Sequence, residues 1–534
     1  MAQARPRPFG PLLLWLTAAL PVATAAPAQT RSPSADDATF PVTVSAPAAS
    51  PIRGWNLSAV GSWGANWLFA DALRKASGFG SGWSDGERPG LSRVDTAEGI
   101  PLRDGKRSII FHHQDGNPAP PGRWTLTWTG DGEARLDPLG SGPVRPFRRA
   151  ANRHLYDVGE GVTRMQVVID GDVRDPHLWL PNAEGQTWNP AALDAIRGAG
   201  VLRFMDWTQT NRGQQTTWDT RPLPQSLYQG TDVGVAWEHC LDLAVAVGAS
   251  PWINIPPLAD EDYCRQLGRL LNERMPAGTP VRVEIGNEFW NSAAGFKAFW
   301  KYLDQGFAYE PRPGHEDGGR LHPKAYAHLC ARQWNALAET FPRARTVRVL
   351  GAQTANPWQA KTAARELELL GTDWDELALT FYFGGLGEVD APELGLPGQG
   401  EAGVDAFFAR VNDQIGSGRQ YEHAAAHAAL ADRFGKRLVF YEGGSHARAY
   451  TKDRETNDFY LAVNRDPRMA GCVAANSAAI RERFPDAVQC YFTEAAFYDP
   501  RTGACFGAID GRTDQWNDPA RNDKWRAFVN ATAR

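Results

Sequence analysis

Two segments of the chain run from a β-prone, largely apolar stretch straight into a glutamate. Val281-Arg-Val-Glu-Ile-Gly286 leads into Asn287-Glu288-Phe289-Trp290-Asn291, and Arg437-Leu-Val-Phe-Tyr441 leads into Glu442-Gly443-Gly444. A carboxyl pair brought together from two such ends suits the cleavage of an acetal. Departure of the leaving oxygen needs a proton donor on one side of the carbon and charge stabilisation on the other. The two carboxyls then have to hold different protonation states at one pH, which burial and neighbouring charges arrange.

For these ends to meet, the strands that carry them must finish on one face of a sheet. After Trp188 the sequence alternates strand-like and helix-like runs, the pattern of a parallel sheet covered by helices. Strands are predicted over Val201–Asp206, Pro251–Ile255, Val281–Gly286, Thr346–Gln353, Leu377–Tyr382, Arg437–Tyr441 and Ala487–Phe492. Helices fit between them over Val235–Val247, Asp260–Arg274, Pro323–Thr340, Gln359–Leu370, Val404–Phe434 with a break at Gly416–Gly418, Asn457–Phe484 with breaks, and finally Asp518–Thr532. An early strand at Ile52–Ser58, followed by a helical pattern at Trp67–Ala76, completes a (β/α)₈ TIM barrel, whose βα loops converge at the C-terminal face. Glu288 and Glu442 then end strands four and seven, across the barrel mouth from each other. From Gly86 to Pro181 the texture changes to short β-rich runs such as Ser108–His112, Arg123–Thr129, Thr163–Ile169 and His177–Leu180, a β-sandwich signature. The expected fold class is therefore α/β: a first βα unit over 51–85, a β-sandwich domain inserted after it over 86–185, and the remainder of the catalytic barrel over 186–534.

Asn-Glu at the end of strand four with Glu at the end of strand seven resembles the clan A glycoside hydrolases, the retaining (β/α)₈ enzymes that include many cellulases, mannanases, xylanases and β-glycosidases. The resemblance covers residues 51–80 and 190–534. It implies that Glu288 is the acid/base, Glu442 the nucleophile and Asn287 the residue that holds a sugar 2-hydroxyl. Arg203, in Val-Leu-Arg-Phe-Met-Asp206, resembles the arginine that bonds the nucleophile, and Tyr382 its tyrosine partner. A cation and a phenol beside Glu442 would favour its charged form; the bland alternatives are an Arg203 ion pair with Asp206 or Glu238 and a core role for Tyr382. The stretch Trp237–Trp290 is also similar to uncharacterised exported proteins described as cellulose-binding. The chain departs from the cellulase-like pattern at Asn254-Ile-Pro-Pro257, at Phe381 and at Phe492-Thr493-Glu494, where those enzymes carry His, His and Trp, so their glycone-binding residues do not transfer.

Trp207, Trp218, Trp290 and Trp358 follow strand ends and offer flat apolar faces for sugar rings, although each taken singly fits a packing role as well. Asp206, Asn211 and Arg221 supply polar groups in one loop, and His446 lies on the loop after Glu442, placed for substrate contact. His423 and His427 sit four apart, but Glu-His-Ala-Ala-Ala-His lacks the base position of a zinc helix. Gly78-Phe-Gly80-Ser-Gly82 follows a helical pattern instead of preceding one, and is no phosphate cradle. No metal or cofactor is expected.

The chain has 534 residues, 43% hydrophobic and 22% charged, with a formal net charge of −5. That composition excludes a disordered chain and gives no basic surface for nucleic acid. Phe9–Ala26 follows Arg5 and Arg7 and ends in Ala23-Thr24-Ala25, which reads as a signal peptide over 1–25, then an Ala/Pro/Ser-rich linker over 26–50. The expected product is secreted or periplasmic, free of the membrane once processed, with a carbohydrate as partner and the oligomeric state open. Of the six cysteines, Cys490 and Cys505 could close a loop. The sequence supports an exported retaining glycoside hydrolase acting on a poly- or oligosaccharide; a carbohydrate-binding protein on a retired barrel, or a transglycosylase using the same residues, are the rival readings.

Overall fold

The structure, a computed structural model, describes residues 52–61, 64–76, 106–112 (backbone), 119–140, 142–213, 215–230, 233–293, 295–304, 322–385, 391–418, 421–450, 453–499, 501–511 and 519–533. The expected signal peptide and linker and the Gly78–Gly82 stretch lie outside them.

Eight parallel strands close a barrel: β1 (Arg53–Asn56), β2 (Val201–Arg203), β3 (Ser250–Ile255), β4 (Val281–Ile285), β5 (Thr346–Gly351), β6 (Glu376–Phe383), β7 (Arg437–Ser445) and β8 (Gln489–Phe492). Each pairs with its neighbours in sequence, and β1 closes the ring against both β2 and β8. Helices cover the outside at Trp237–Val247, Glu261–Arg274, His322–Ala338, Pro357–Leu369, Arg454–Arg465, Arg468–Arg483 and Asp523–Ala531. The helical run expected over Val404–Phe434 is two helices, Glu401–Ser417 and Glu422–Arg433, separated where Gly418 takes a left-handed conformation at φ +74°.

Period-2 alternation decides what fills the barrel. On β4, Val281, Val283 and Ile285 pack outward with the helices, which turns Arg282 and Glu284 inward. A small apolar cluster occupies the interior, with Val201, Trp252, Val349, Ala378, Val439, Tyr441, Val488 and Cys490. Below it Arg282 binds Glu376 through two bonds of 2.8 and 3.0 Å, and Arg437 reaches the same carboxylate at 2.9 Å. The interior is thus layered, with a charged floor, an apolar middle and a second charged layer at the C-terminal end.

Between β1 and β2 the chain forms two antiparallel sheets. One orders Lys106–His112, Arg164–Asp170 and Glu133–Pro138; the other orders Val144–Ala150, Arg153–Val158, Gly122–Thr129 and Arg174–Trp179. They are tied together where Leu136 N–H donates to the Tyr156 hydroxyl at 2.9 Å. The sequence reading put this insertion after a first βα unit, and the structure corrects that. Residues 67–71 are not helical: Phe69 and Asp71 make single bridges to Trp188 and Trp179, and only a short 3₁₀ turn, Ala72–Lys75, follows. Asp71 explains the difference. Its carboxylate caps Leu73 N–H and also takes Leu178 N–H at 3.0 Å and His177 Nδ1 at 2.9 Å, so the segment is spent on holding the antiparallel sheets. The helix between β1 and β2 is Pro190–Ile196, after the insertion.

All six cysteines are free and buried, so Cys490 and Cys505 form no disulfide. Cys490 faces the barrel interior from β8, while Cys505 lies 3.5 Å from Lys524 Nζ outside it. Among the described residues no helix is long and apolar enough to cross a membrane.

Candidate active site

The upper charged layer is built around Arg203, which ends β2 and is fully buried. Its guanidinium makes five hydrogen bonds. Nη1 donates to Glu442 Oε1 at 2.8 Å and Asn56 Oδ1 at 3.0 Å; Nη2 to Asn287 Oδ1 and Glu284 Oε2, each at 2.9 Å; and Nε to Glu284 Oε2 at 3.1 Å. Glu284 Oε2 also accepts Trp252 Nε1 at 2.8 Å. Arg203 therefore pairs with neither Asp206 nor Glu238; Glu238 is held by Arg221 at 2.8 Å.

Glu442 reaches this cation through an irregularity in β7. Leu379 on β6 stands opposite Phe440, but the next residue, Thr380, stands opposite Glu442. Tyr441 is the extra residue of a β-bulge, a device that re-aims side chains and breaks the alternation locally. Two consecutive side chains consequently face the barrel interior. Tyr441 donates its hydroxyl to Glu288 Oε1 at 3.0 Å, and Glu442 accepts Arg203 on one oxygen and the Tyr382 hydroxyl at 3.0 Å on the other. The glycines that follow are required by space. A Cβ on Gly443 would stand 2.2 Å from the Phe381 ring, and Gly444, at φ +123°, leaves only 2.8 Å to the Tyr491 ring.

Glu288 lies past the end of β4, beyond Gly286, whose φ of +64° turns the chain. Glu288 itself adopts φ +45°, a left-handed conformation that costs a non-glycine residue free energy and recurs at functional sites. Its second oxygen accepts Asn291 Nδ2 at 2.9 Å. Asn287 gives Oδ1 to Arg203 and donates Nδ2 to Asn211 at 3.1 Å.

Burial raises both carboxyls above the ordinary range, opposed at Glu288 by the Asn291 and Tyr441 bonds and at Glu442 by the Arg203 charge. The Glu288 charge in turn raises Glu442, so the pair favours holding one proton between them. Of the two, only Glu442 touches the guanidinium, a contact that favours its charged form. Burial, then the nearby carboxylates, push the Tyr382 and Tyr441 phenols well above their usual range, which keeps both as donors. Asp206, three residues past Arg203, is raised to about 6 by burial, against the Arg203 and Arg212 charges, and its own charge raises Glu442 further.

The aromatic candidates are dispersed. Trp290 is half-buried above the interior cluster, edge-on to Phe289 at 5.0 Å. Trp358 is 39% exposed at the start of the helix after β5. Trp218 has the Arg221 guanidinium over one face at 4.2 Å and Tyr263 at its edge. Trp207, expected as a sugar platform, is fully buried: it stacks on Phe69 at 5.7 Å and donates Nε1 to Ser58 O, so its faces are taken by the loop that carries the antiparallel sheets. His446 packs against Tyr382 with ring centroids 5.1 Å apart, and its Nδ1 is 3.2 Å from the Tyr450 hydroxyl; burial, then the Arg448 charge, lowers it to about 4. His427 is buried against Thr354 O, and no group of metal-ligating side chains occurs among the described residues.

Asn56, Glu284, Asn291 and Tyr441 are site residues that the motifs did not reveal. Glu284 carried a usable signal, because an acid and Arg282 alternate with Val and Ile in a strand otherwise reading as fully buried.

No family model matches the chain, and neither does any curated protein. Solved structures share a distant likeness. An α-L-arabinofuranosidase from Thermotoga maritima is 12% identical over 65% of this chain, with a TM-score of 0.35, and the match spans 64% of that protein. The GH51 arabinofuranosidase from Xanthomonas axonopodis pv. citri is 14% identical over 66% of this chain and 67% of its own, with a TM-score of 0.39. An endo-β-1,3-glucanase from Amycolatopsis mediterranei is 11% identical over 64% and 93%, with a TM-score of 0.28. At these values the likenesses carry no argument about activity, which rests on the geometry of Glu288, Glu442 and the residues that hold them.

Proposed function

We propose that this chain is an exported retaining glycoside hydrolase that cleaves a poly- or oligosaccharide by double displacement. The observation that carries the reading is the asymmetry of the carboxyl pair. Both glutamates lie toward the C-terminal side of barrel strands and both accept a phenol, yet only Glu442 is held by a guanidinium. One group is thereby kept ionised for attack and the other protonated for donation, the division that glycosidic cleavage needs. Glu442 attacks the anomeric carbon as the bond to the leaving oxygen breaks, and Glu288 delivers its proton to that oxygen. Water, deprotonated by Glu288, then attacks the same carbon and releases Glu442 from the ester. Asn287 has one Nδ2 hydrogen free of Asn211 for a sugar hydroxyl, as the family resemblance implies. Trp290, beside the acid, is the best-placed platform for the sugar ring.

The test is a screen of the purified wild type and the Glu442→Ala variant on a panel of polysaccharides and aryl glycosides, following reducing ends or chromophore. Cleavage by wild type with a loss of at least about a thousand-fold in the variant is expected. A 2-fluoroglycoside of the accepted sugar should then add its glycosyl mass to the peptide containing Glu442. Equal rates for the two proteins, or a label elsewhere, would remove the assignment. Glycan binding without turnover would instead favour a retired barrel.

A further inference from the structure

The other buried arginines of the barrel are consumed by protein. Arg203 makes its five bonds, Arg282 binds Glu376 and Ser250, and Arg348 reaches Asp373 O, Trp334 O and the Asn335 side chain. Arg448, on the loop six residues past Glu442, is different. It is only 7% exposed, yet among the described residues it forms no ion pair and no hydrogen bond; its Nε, like that of Arg348, is sealed from water without an acceptor, but no other atom of its guanidinium is bonded either. Its charge rests over the Tyr450 ring at 4.9 Å. Asp499 is near enough to act on it electrostatically, but both oxygens of that carboxylate are taken by Arg501, at 3.1 and 3.3 Å, with the Thr502 hydroxyl on one of them. A buried cation left without an acceptor is costly and is retained where something else supplies the anion.

Arg448 shares its loop with two residues whose contacts lead to the nucleophile. Ala447 and Ala449 belong to the main apolar core, while His446, Arg448 and Tyr450 group together: the Arg448 guanidinium stands over the Tyr450 ring and its charge acts on His446. From that group the contacts lead to the nucleophile: Tyr450 bonds His446, His446 packs on Tyr382, and Tyr382 donates to Glu442. The two Nη groups are the open end of the fork, because Nε alone is sealed. Around the carboxyl pair itself Arg203 faces Glu284, Glu442 and Asp206, so an anionic sugar would be repelled there unless a second cation received it.

We infer that Arg448 binds a carboxylate carried by the sugar next to the one attacked, which makes the substrate a uronate-containing glycan. The inference rests on the hydrolase reading for the position of the sugar. Planar, two-pronged recognition by Nη1 and Nη2 suits a carboxylate; a sugar sulfate offers related chemistry, and the experiment separates them.

Glu442→Gln protein is titrated calorimetrically with gluco-, manno- and galacto-oligosaccharides, each in three forms: neutral, oxidised to the uronate at C6, and sulfated at C6. On at least one backbone the uronate should bind roughly 10- to 100-fold more tightly than its neutral form. Adding Arg448→Met should bring it down to the neutral value, and Arg448→Lys, which keeps the charge without the fork, should lie between. Circular dichroism checks that each variant is folded, and Arg448→Lys carries the comparison if Arg448→Met is not. The inference is overturned if no backbone prefers the uronate, if Arg448→Met weakens neutral and uronate forms alike, or if the preference is confined to sulfated forms. Wild-type turnover of the bound uronate is scored separately. Arg448-dependent binding without cleavage leaves the anion site standing and removes the hydrolase reading.

Discussion

Replacing Arg203 by Met keeps the approximate length of the side chain and removes its charge. In the native barrel this guanidinium is the cation for two carboxylates at once, Glu284 and Glu442, 1% and 0% exposed. The substitution leaves both buried without a cation, and Asn56 Oδ1 and Asn287 Oδ1 also lose a donor. Orphaning one buried charge costs about 3–5 kcal/mol, and the Trp252 bond to Glu284 and the Tyr382 bond to Glu442 keep the total near the upper end of that range. Scaling the specific entropy of unfolding to a chain of this size, each kcal/mol moves the midpoint by roughly 1–2 °C, so a drop of about 5–10 °C is expected at pH 8. The sign of the pH dependence follows from the charges. As pH falls the orphaned carboxyls of the variant can take protons and escape the penalty of a buried unpaired charge. The gap should therefore close toward pH 4.5. Adding Glu284→Gln to Arg203→Met should restore part of the loss at pH 8, since one of the two orphans is gone. Thermal unfolding of the three proteins from pH 4.5 to 8.5, followed by circular dichroism, measures this. A gap that stays constant with pH, or a double variant no better than the single, would mean that packing and not charge is what Arg203 contributes.

Three further outcomes are expected. Glu494 is fully buried and raised to about 8 by burial, against the bonds it accepts from Ser58 N–H at 2.6 Å and Ser58 Oγ at 3.0 Å. Its folded state holds a proton that the unfolded chain releases near 4.5, so it costs nothing at low pH and destabilises increasingly from pH 4.5 to 8, by up to about 1.4 kcal/mol per unit. Glu494→Gln should gain thermal stability over wild type across that window and show no gain below it. Tyr441→Phe removes the hydroxyl from Glu288 Oε1, which disfavours the ionised acid; the basic limb of kcat/KM should move upward by up to about one pH unit, and an unmoved limb counts against Glu288 as the acid. Gly443→Ala drives a methyl into the Phe381 ring, and its cost, about 1–3 kcal/mol, should be read in denaturant midpoints and relieved in part by Phe381→Leu.

The barrel was legible because its signals are long and local. Strand runs of three to nine residues in the structure overlap the predicted ones, and the helix Glu261–Arg274 starts where Asp260 caps Tyr263 N–H at 2.7 Å. The helix expected at Trp67–Ala76 failed because its apolar spacing serves different partners: Trp67 packs on Trp124 within the insertion and Phe69 on Trp188 beyond it, and no periodicity within the segment records that. Trp207 misled for the same reason. A tryptophan after a strand end is equally fit to line an opening or to fill the seam beneath it, and its contacts with Phe69 and Trp188 lie more than a dozen residues away in sequence. Glu288, Glu442, Arg203 and Tyr382 were nameable from their strand ends. Asn56 was not, since its role comes from closure of the ring, where β1 stands between β2 and β8.

The bulge at Tyr441 shows why strand-end position alone underdetermines such a site. Strict alternation along β7 sends Leu438 and Phe440 to the helices and Val439 and Tyr441 to the interior, and would send Glu442 outward, where an unpaired carboxylate among aromatic side chains would be prohibitive. The extra residue turns it inward instead. It also makes Tyr441 and Glu442 adjacent on one face, so the phenol that holds one carboxyl and the carboxyl held by Arg203 are displaced together by any shift of this strand. Arg203 lies 4.8 Å from the Tyr441 ring while bonding Glu442, and thus touches both members of that unit. The two glutamates are held by different groups, yet both answer to β7: Glu442 belongs to it, and Glu288 accepts the hydroxyl of its Tyr441.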